Sequence, residues 1–173
     1  MKALDHLADV FLLPGEFFVG DARYKIRTML GSCVSITLWH PIERIGAMSH
    51  FLLPTRGLPD HRAARDGRYG DEALALMLDE LRLFGVSPKR CEAKIFGGGN
   101  MFPDQMHAKS LHVGQRNGEA AIALMHAHGI PIVSESLFGV GHRQIIFNVT
   151  NGDVWSHQVE PAAHALKPRG DLF

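Results

Sequence analysis

Two apolar segments joined by a short turn constrain the fold of this chain more than any other feature. Residues 30–39 and 44–53 both have the pattern of β-strands, and residues 40–43 between them have the composition of a hairpin loop. Counting back along both strands from that loop places Cys33 directly opposite His50. Directly opposed residues project from the same face with Cβ atoms about 4.5–5.5 Å apart. The pattern therefore predicts a thiol held beside an imidazole, which is the core of a cysteine nucleophile.

A lone cysteine in a strand is more often a core residue than a catalytic one, so Cys33 needs further support. Alternation along its strand sends the apolar side chains to one face and Cys33 to a more polar face. The apolar face carries Val34, Ile36 and Leu38, and the polar face carries Cys33, Ser35 and Thr37. Gly31 and Ser32 also precede the cysteine, and their backbone N–H groups could closely approach a substrate and stabilise an oxyanion. These features favour a nucleophile.

His50 shares its predicted strand face with Gly46 and Met48, and a slip of one residue in register would remove it from the face of Cys33. The alternative is a core histidine whose hydrogen bonds are satisfied. A base of this kind is usually oriented by a third group, but no Asp or Glu stands near His50 in the sequence. Thr28 offers a hydroxyl on the preceding strand, and ordinary strand propensity explains it equally well, so the residues alone favour neither interpretation.

Composition excludes several function classes. Eighteen basic and eighteen acidic residues cancel, so no general electrostatic attraction to nucleic acid or to an anionic membrane is expected. No export signal and no segment long enough to span a bilayer are evident, and the two cysteines are therefore expected to be reduced, in the cytoplasm. A Cys33–Cys91 disulfide is the alternative, which this compartment disfavours. The eleven histidines show no ligand spacing, so neither a metal nor a cofactor is expected.

We expect residues 1–15 to form a lead-in, either packed or mobile, and residues 16–173 to form one domain. Strands that come in hairpins, with two inserted helices, predict an α/β layered fold with a mixed, mostly antiparallel sheet. The expected strands cover residues 16–20, 24–30, 33–39, 44–53, 92–96, 130–137, 143–149 and 154–158, and the expected helices cover about 71–84 and 115–128. An exposed loop is expected over 54–69, and a functional loop from the Gly97-Gly98-Gly99 turn to about Gly114.

Five motifs stand out together along the chain. They are Thr28-Met29-Leu30-Gly31-Ser32-Cys33-Val34, Gly46-Ala47-Met48-Ser49-His50-Phe51-Leu52-Leu53-Pro54, Lys94-Ile95-Phe96-Gly97-Gly98-Gly99-Asn100-Met101, Gly114-Gln115-Arg116-Asn117 and Gly141-His142-Arg143-Gln144-Ile145-Ile146-Phe147. These motifs resemble those of one known family, the chemoreceptor glutamine deamidases called CheD. They follow the family's order, cover about residues 16–158, and the first two are quite specific as a pair.

The resemblance implies a three-layer α/β fold related to bacterial toxin deamidases, and a catalytic set of Cys33, His50 and Thr28. It also implies the reaction, in which selected glutamine side chains on chemoreceptor cytoplasmic domains become glutamate through a cysteine thioester. His50 would take the thiol proton, during the attack or in advance as a thiolate–imidazolium pair, and Thr28 would orient the imidazole.

Two alternatives to a receptor deamidase stay open at this point. The family resemblance also implies an adaptor that binds the CheC phosphatase of the response regulator, with catalysis secondary or lost. The helix near 115–128 or the loop at 54–69 could serve that partner. A different cysteine amidohydrolase, or a transglutaminase that uses an amine in place of water, is a weaker alternative.

Overall fold

The structure, a computed structural model, describes residues 4–57, 60, 62–103, 109–161 and 170–173, with the backbone alone at 109–111. These residues include ten strands, two α-helices and a short 3-10 helix at Pro88–Arg90. In chain order the strands and helices are β1 (Ala8–Phe11), β2 (Phe17–Gly20), β3 (Tyr24–Leu30), β4 (Val34–His40), β5 (Ile45–Ser49), α1 (Gly70–Leu83), β6 (Glu92–Gly97), α2 (Lys109–His128), β7 (Ile132–Leu137), β8 (His142–Asn148), β9 (Val154–Val159) and β10 (Gly170–Leu172).

The strands form two five-stranded sheets, in the order β1-β3-β8-β9-β10 (sheet 1) and β2-β5-β4-β6-β7 (sheet 2). Every pairing is antiparallel except β1 with β3 and β6 with β7, which are parallel. Both helices pack on one face of sheet 2, and its other face packs on sheet 1. The predicted α/β class, with three layers and mixed, mostly antiparallel pairing, is confirmed. The division of the strands into two sheets is what the sequence did not reveal.

Strand β4 shows how the sequence builds these layers. Its residues Val34, Ile36 and Leu38 are fully buried in the core that sheet 2 shares with the two helices. The alternate side chains point the other way, towards sheet 1, as the period of two requires. A second core lies between the sheets, and Cys33 packs against its edge. The buried residues of that second core are Leu12, Ile26, Leu30, Met48, Phe96, Ile145, Phe147, Val149 and Val154.

The predicted hairpin register is wrong by two positions, because the loop consists of residues 41–44 and not of residues 40–43. His40 pairs with Ile45 in the ladder, and its carbonyl accepts a hydrogen bond from the N–H of Arg44 at 2.8 Å. Arg44 closes the loop with a φ of 50°, a left-handed conformation that a pattern of apolar residues does not reveal. The His40 Nδ1 atom also accepts from the N–H of Glu43, which further stabilises the turn.

The corrected register preserves the face of every side chain. Moving both ends of the loop by one residue shifts each pair by two positions, and two is the period of a strand. Val34 now bridges Phe51, so Cys33 lies opposite Leu52 and not opposite His50. Cys33 and His50 are therefore diagonal neighbours on the face towards sheet 1, a relation in which Cβ atoms are roughly 7 Å apart.

The lead-in and the second helix differ from their expected limits. Residues 8–11 of the lead-in form β1, which pairs in parallel with β3, and Leu12 after it is buried. Helix α2 begins at Lys109, so the expected loop does not extend to Gly114; part of that loop, 104–108, lies outside the described residues. Strand β10 was not predicted, and it adds an edge to sheet 1 beside β9.

The Gly97-Gly98-Gly99 turn approaches the segment before β4 so closely that side chains would not fit. A Cβ atom on Gly97, which has a φ of 115°, would lie 2.2 Å from the carbonyl oxygen of Cys33. On the other side, a Cβ on Gly98 would lie 2.6 Å from the carbonyl oxygen of Gly114 in α2. The turn is therefore packed backbone to backbone between the nucleophile segment and the helix, in agreement with the predicted tight turn.

We predict that Gly97→Ala destabilises the protein by at least ~2 kcal/mol more than Gly129→Ala, because overpacking adds to the cost of a left-handed residue. Gly129 is the matched control, since it has a φ of 65° and no atom lies within 4 Å of the position that an added Cβ would take. Urea unfolding of both variants measures the difference. Equal losses of stability would contradict the close packing of the turn.

Candidate active site

The three residues expected to form the site come from both sheets. Cys33 is half-buried just before β4, and His50 is buried just after β5, so both belong to sheet 2. Thr28 lies on β3 of sheet 1, with its side chain buried in the space between the sheets. The His50 backbone is fixed from the lead-in side, since its N–H donates to the Glu16 carbonyl at 3.0 Å and its carbonyl accepts from the Gly15 N–H at 2.8 Å.

A short relay of hydrogen bonds fixes the His50 ring. The Thr28 hydroxyl oxygen lies 2.7 Å from the Leu12 carbonyl oxygen and 2.7 Å from the Nδ1 atom of His50. A carbonyl can only accept, so the single Thr28 hydroxyl hydrogen is donated to Leu12. Nδ1 of His50 must then carry a hydrogen and donate it to the Thr28 oxygen. In this neutral tautomer Nε2 has a free lone pair, which is the state required of a general base.

Burial keeps the thiol and the imidazole uncharged. Loss of water lowers the pKa of His50 to about 4, against smaller upward effects from the Leu12 carbonyl and the Glu16 carboxylate. Burial also raises the pKa of the Cys33 thiol. At neutral pH the free protein therefore holds an uncharged Cys33 thiol and an uncharged His50 imidazole. Of the two protonation states expected from the sequence, these shifts favour the neutral pair.

The turn that carries Cys33 has its three carbonyls tied to the protein. The Gly31 carbonyl accepts from the Gly99 N–H, and the Cys33 carbonyl accepts from the Gly98 N–H, each at 2.9 Å. The Ser32 carbonyl between them accepts from a side chain of α2, Nδ2 of Asn117, at 3.0 Å. None of the hydrogen bonds among the described residues uses the N–H groups of residues 31–33.

Sequence reasoning missed Leu12, Glu16 and Asn117. The first acts through its backbone carbonyl, which has no signature in a sequence. Glu16 comes next to His50 only through the pairing of β2 with β5, where Phe17 faces Ser49. Asn117 stood within a recognised motif, but its position 85 residues from Ser32 gave no reason to join them.

Arg143 links the two sheets near the Gly97–Gly99 turn. It is 1% exposed, and its guanidinium donates to the Ser136 carbonyl, to the Ser136 hydroxyl and to the Phe138 carbonyl. Burial lowers its pKa to about 10, and no described carboxylate forms an ion pair with it. Its contacts hold β8 of sheet 1 to the end of β7 in sheet 2.

Other kinds of site find no support in the part of the chain that the structure describes. There, no three His, Cys, Asp or Glu side chains are grouped so that they could hold a metal ion. Neither helix, over its described residues, is long and apolar enough to cross a membrane.

Comparison with known proteins adds independent information. A family model described as CheD chemotactic sensory transduction matches residues 52–158. The probable chemoreceptor glutamine deamidase CheD 2 of Albidiferax ferrireducens is 65% identical over 95% of this chain and 95% of its own. CheD 3 of Dechloromonas aromatica, with the same description, is 44% identical over 88% of this chain and 89% of its own. A Neisseria meningitidis protein of solved structure covers 80% of this chain and 65% of its own, with a TM-score of 0.42 and 10% identity, too distant to inform function.

The family model covers the glycine turn and α2, and the relatives extend the match over nearly the whole chain. The resemblance drawn from the five motifs is thereby confirmed, and the expected enzyme class agrees with the names that the relatives carry. This chain belongs to the CheD family.

Proposed function

We propose that this protein deamidates glutamine side chains on the cytoplasmic domains of chemoreceptors, with Cys33 as nucleophile, His50 as base and Thr28 as the group that orients the base. The observation that carries the proposal is the 2.7 Å hydrogen bond between Thr28 and Nδ1 of His50, because it leaves Nε2 free to accept a proton. Family membership supplies the substrate, since the relatives are named as chemoreceptor glutamine deamidases.

The first half-reaction starts from the neutral pair. Nε2 of His50 takes the thiol proton as Sγ of Cys33 attacks the glutamine carboxamide carbon, and the carbonyl oxygen becomes an oxyanion. N–H groups of the 31–33 turn, among them that of Cys33, donate to this oxyanion, and none of them bonds another described residue. The imidazolium then gives its proton to the amide nitrogen, the C–N bond breaks, ammonia leaves and a thioester remains.

The second half-reaction consumes water. Nε2 of His50 takes a proton from water as its oxygen attacks the thioester carbon, and the C–S bond then breaks. The imidazolium proton passes to Sγ, and the carboxylic acid that is released loses its own proton to solvent to give glutamate. A neutral amide on a helical receptor has thus become an anion, which changes the repulsion between neighbouring helices.

A cytoplasmic location follows from the proposed substrate and fits the two cysteines, which are both free thiols. The finer partner expectation, a CheC-type phosphatase, stays a prediction. Binding of such a partner by a Cys33→Ser protein would show that an adaptor role separates from catalysis.

Cys33→Ala is expected to abolish deamidation, because the thioester cannot form without Sγ. Purified receptor cytoplasmic domain is incubated with the protein, and peptide mass mapping finds the converted glutamines. Cys91→Ala is the matched control, since Cys91 is the other free thiol and is fully buried. Conversion by Cys33→Ala at the wild-type rate would overturn the proposed nucleophile.

Thr28→Val should lower kcat by roughly tenfold or more, because valine keeps the shape of threonine but cannot hold the Nδ1–H tautomer. Thr28→Ser keeps the hydroxyl and should retain most of the activity. Steady-state kinetics of ammonia release from the receptor domain measure both variants. Equal activity of the valine and serine variants would remove Thr28 from the site.

The buried His50 should make the protein less stable in acid. Its pKa is about 4 in the folded protein against an ordinary value of 6.5, so the unfolded chain binds more protons between these limits. Stability from the neutral ring is fully present above pH 6.5 and declines as the pH falls to about 4. The loss over this range is on the order of 3 kcal/mol.

Urea unfolding at a series of pH values tests this. His50→Gln should lose less stability than wild type between pH 6.5 and pH 4, since glutamine does not titrate. His126→Gln, which removes an exposed imidazole from α2, controls for the loss of a histidine as such. A His50→Gln protein with the wild-type pH dependence would show that burial does not suppress the charge of His50.

A further inference from the structure

Asn117 joins the two segments that carry the thiol and the imidazole. Its side chain is fully buried, and Nδ2 donates to the Ser32 carbonyl at 3.0 Å and to the Leu52 carbonyl at 2.8 Å. Ser32 immediately precedes Cys33, and Leu52 follows His50 by two residues. Both hydrogens of the Asn117 amide are therefore donated to backbone carbonyls beside the proposed catalytic residues, and neither is donated to a group within α2.

The bond to Ser32 determines where the N–H of Cys33 points. A peptide unit is planar and trans, so the carbonyl of Ser32 and the N–H of Cys33 point in opposite directions across the same plane. Asn117 holds that carbonyl towards α2, and the N–H of Cys33 is directed away from it. The neighbouring plane is fixed in the same way, because the Gly99 N–H holds the Gly31 carbonyl at 2.9 Å.

The position of Asn117 is itself determined by close packing. The helix approaches the glycine turn at Gly114, where a Cβ atom would lie 2.6 Å from the Gly98 carbonyl oxygen. Asn117 stands three residues, or almost one helical turn, further along α2 and on the same buried face. The helix therefore brings the Asn117 amide to the Cys33 turn from the side opposite to sheet 1.

We propose that Asn117 is a positioning residue for the deamidation, which aims the Cys33 N–H at the developing oxyanion through the Ser32–Cys33 peptide plane. This inference rests on the proposed function. Asn117 makes no hydrogen bond to Sγ of Cys33 or to the imidazole. Its loss is therefore expected to act on the direction of the Cys33 N–H more than on the thiol or the imidazole.

Asn117→Leu tests the proposal, because leucine has a similar size and donates no hydrogen bond. We expect kcat for ammonia release from the receptor domain to fall about 10- to 100-fold with KM within about twofold, since oxyanion donors act on the transition state. Alkylation of Cys33 by iodoacetamide forms no oxyanion at the turn. The rate at which iodoacetamide alkylates Cys33 in the Asn117→Leu variant should therefore stay within about twofold of the wild-type rate between about pH 6 and pH 9.

The matched control is Ala121→Gly, which weakens α2 at a buried position one turn further on without touching the Cys33 turn. All proteins are assayed at a temperature at which circular dichroism shows them folded. A kcat of Asn117→Leu equal to that of Ala121→Gly would overturn the proposal. A fall in alkylation as large as the fall in kcat would also overturn it, since the whole site would then be disturbed.

Asn117→Asp provides a second readout that keeps the shape of the side chain. As a carboxylate it has no hydrogen to donate, whereas its protonated form has one. The ratio of its kcat to that of wild type should rise as the pH falls from about 8 to 5, and a constant ratio would count against an aiming role. Failure of the wild-type protein itself to release ammonia would instead refute the proposed function, so the two failures are distinguishable.

Discussion

Backbone packed directly against backbone, between Gly97–Gly99 and Gly31–Cys33, is the constraint on which the rest of the site depends. No side chain separates the two segments, and two N–H groups of the glycine turn bind carbonyls of the Cys33 turn. The cysteine is consequently presented by a turn whose three carbonyls all accept hydrogen bonds, while its N–H groups make none to the residues that the structure describes. Such a turn favours an anion on its open side, which is where the proposed reaction develops negative charge.

The candidate site lies between the two sheets, and each sheet contributes a different set of polar groups. Sheet 2 supplies the thiol and the imidazole, and helix α2 behind it supplies the amide of Asn117. Sheet 1 supplies the Thr28 hydroxyl and, after β1, the Leu12 carbonyl that accepts its hydrogen. Contact between the sheets is made by an apolar core, so the polar relay stands at the edge of a well-packed interior.

The sequence predicted the faces of the strands better than their partners. Alternation placed Cys33 and His50 on one face correctly, because a period of two survives a shift of two positions. The direct opposition of these residues was wrong, since it depended on the loop conformation, and the left-handed Arg44 has no marker in the pattern. For Thr28 the residues alone favoured neither a catalytic nor a structural interpretation, and only the family resemblance decided, because its strand meets His50 across the space between two sheets that the sequence did not separate.

The residues that stayed hidden share a physical cause. Leu12 acts through a carbonyl that every residue possesses, so its identity carries no information about the contact. Asn117 reaches across from a helix whose start the sequence placed six residues too late, near 115 and not at Lys109. Contacts of this kind follow from three-dimensional packing, and single-sequence periodicity describes only one element at a time.

The place of β3 within sheet 1 has a consequence for the order of folding. Its neighbours are β1 and β8, so Thr28 faces Ile145 across more than half of the chain. Cys33 and His50 can approach each other in a local hairpin, and β3 can pair locally with β1, whereas the pairing of β3 with β8 requires closure of a long loop, which costs entropy and slows folding. This topology predicts that the hairpin carrying Cys33 and His50 forms before β3 is held between both of its neighbours. The proposed relay from Leu12 through Thr28 to His50 spans the two sheets, so it would be complete only once those sheets have docked.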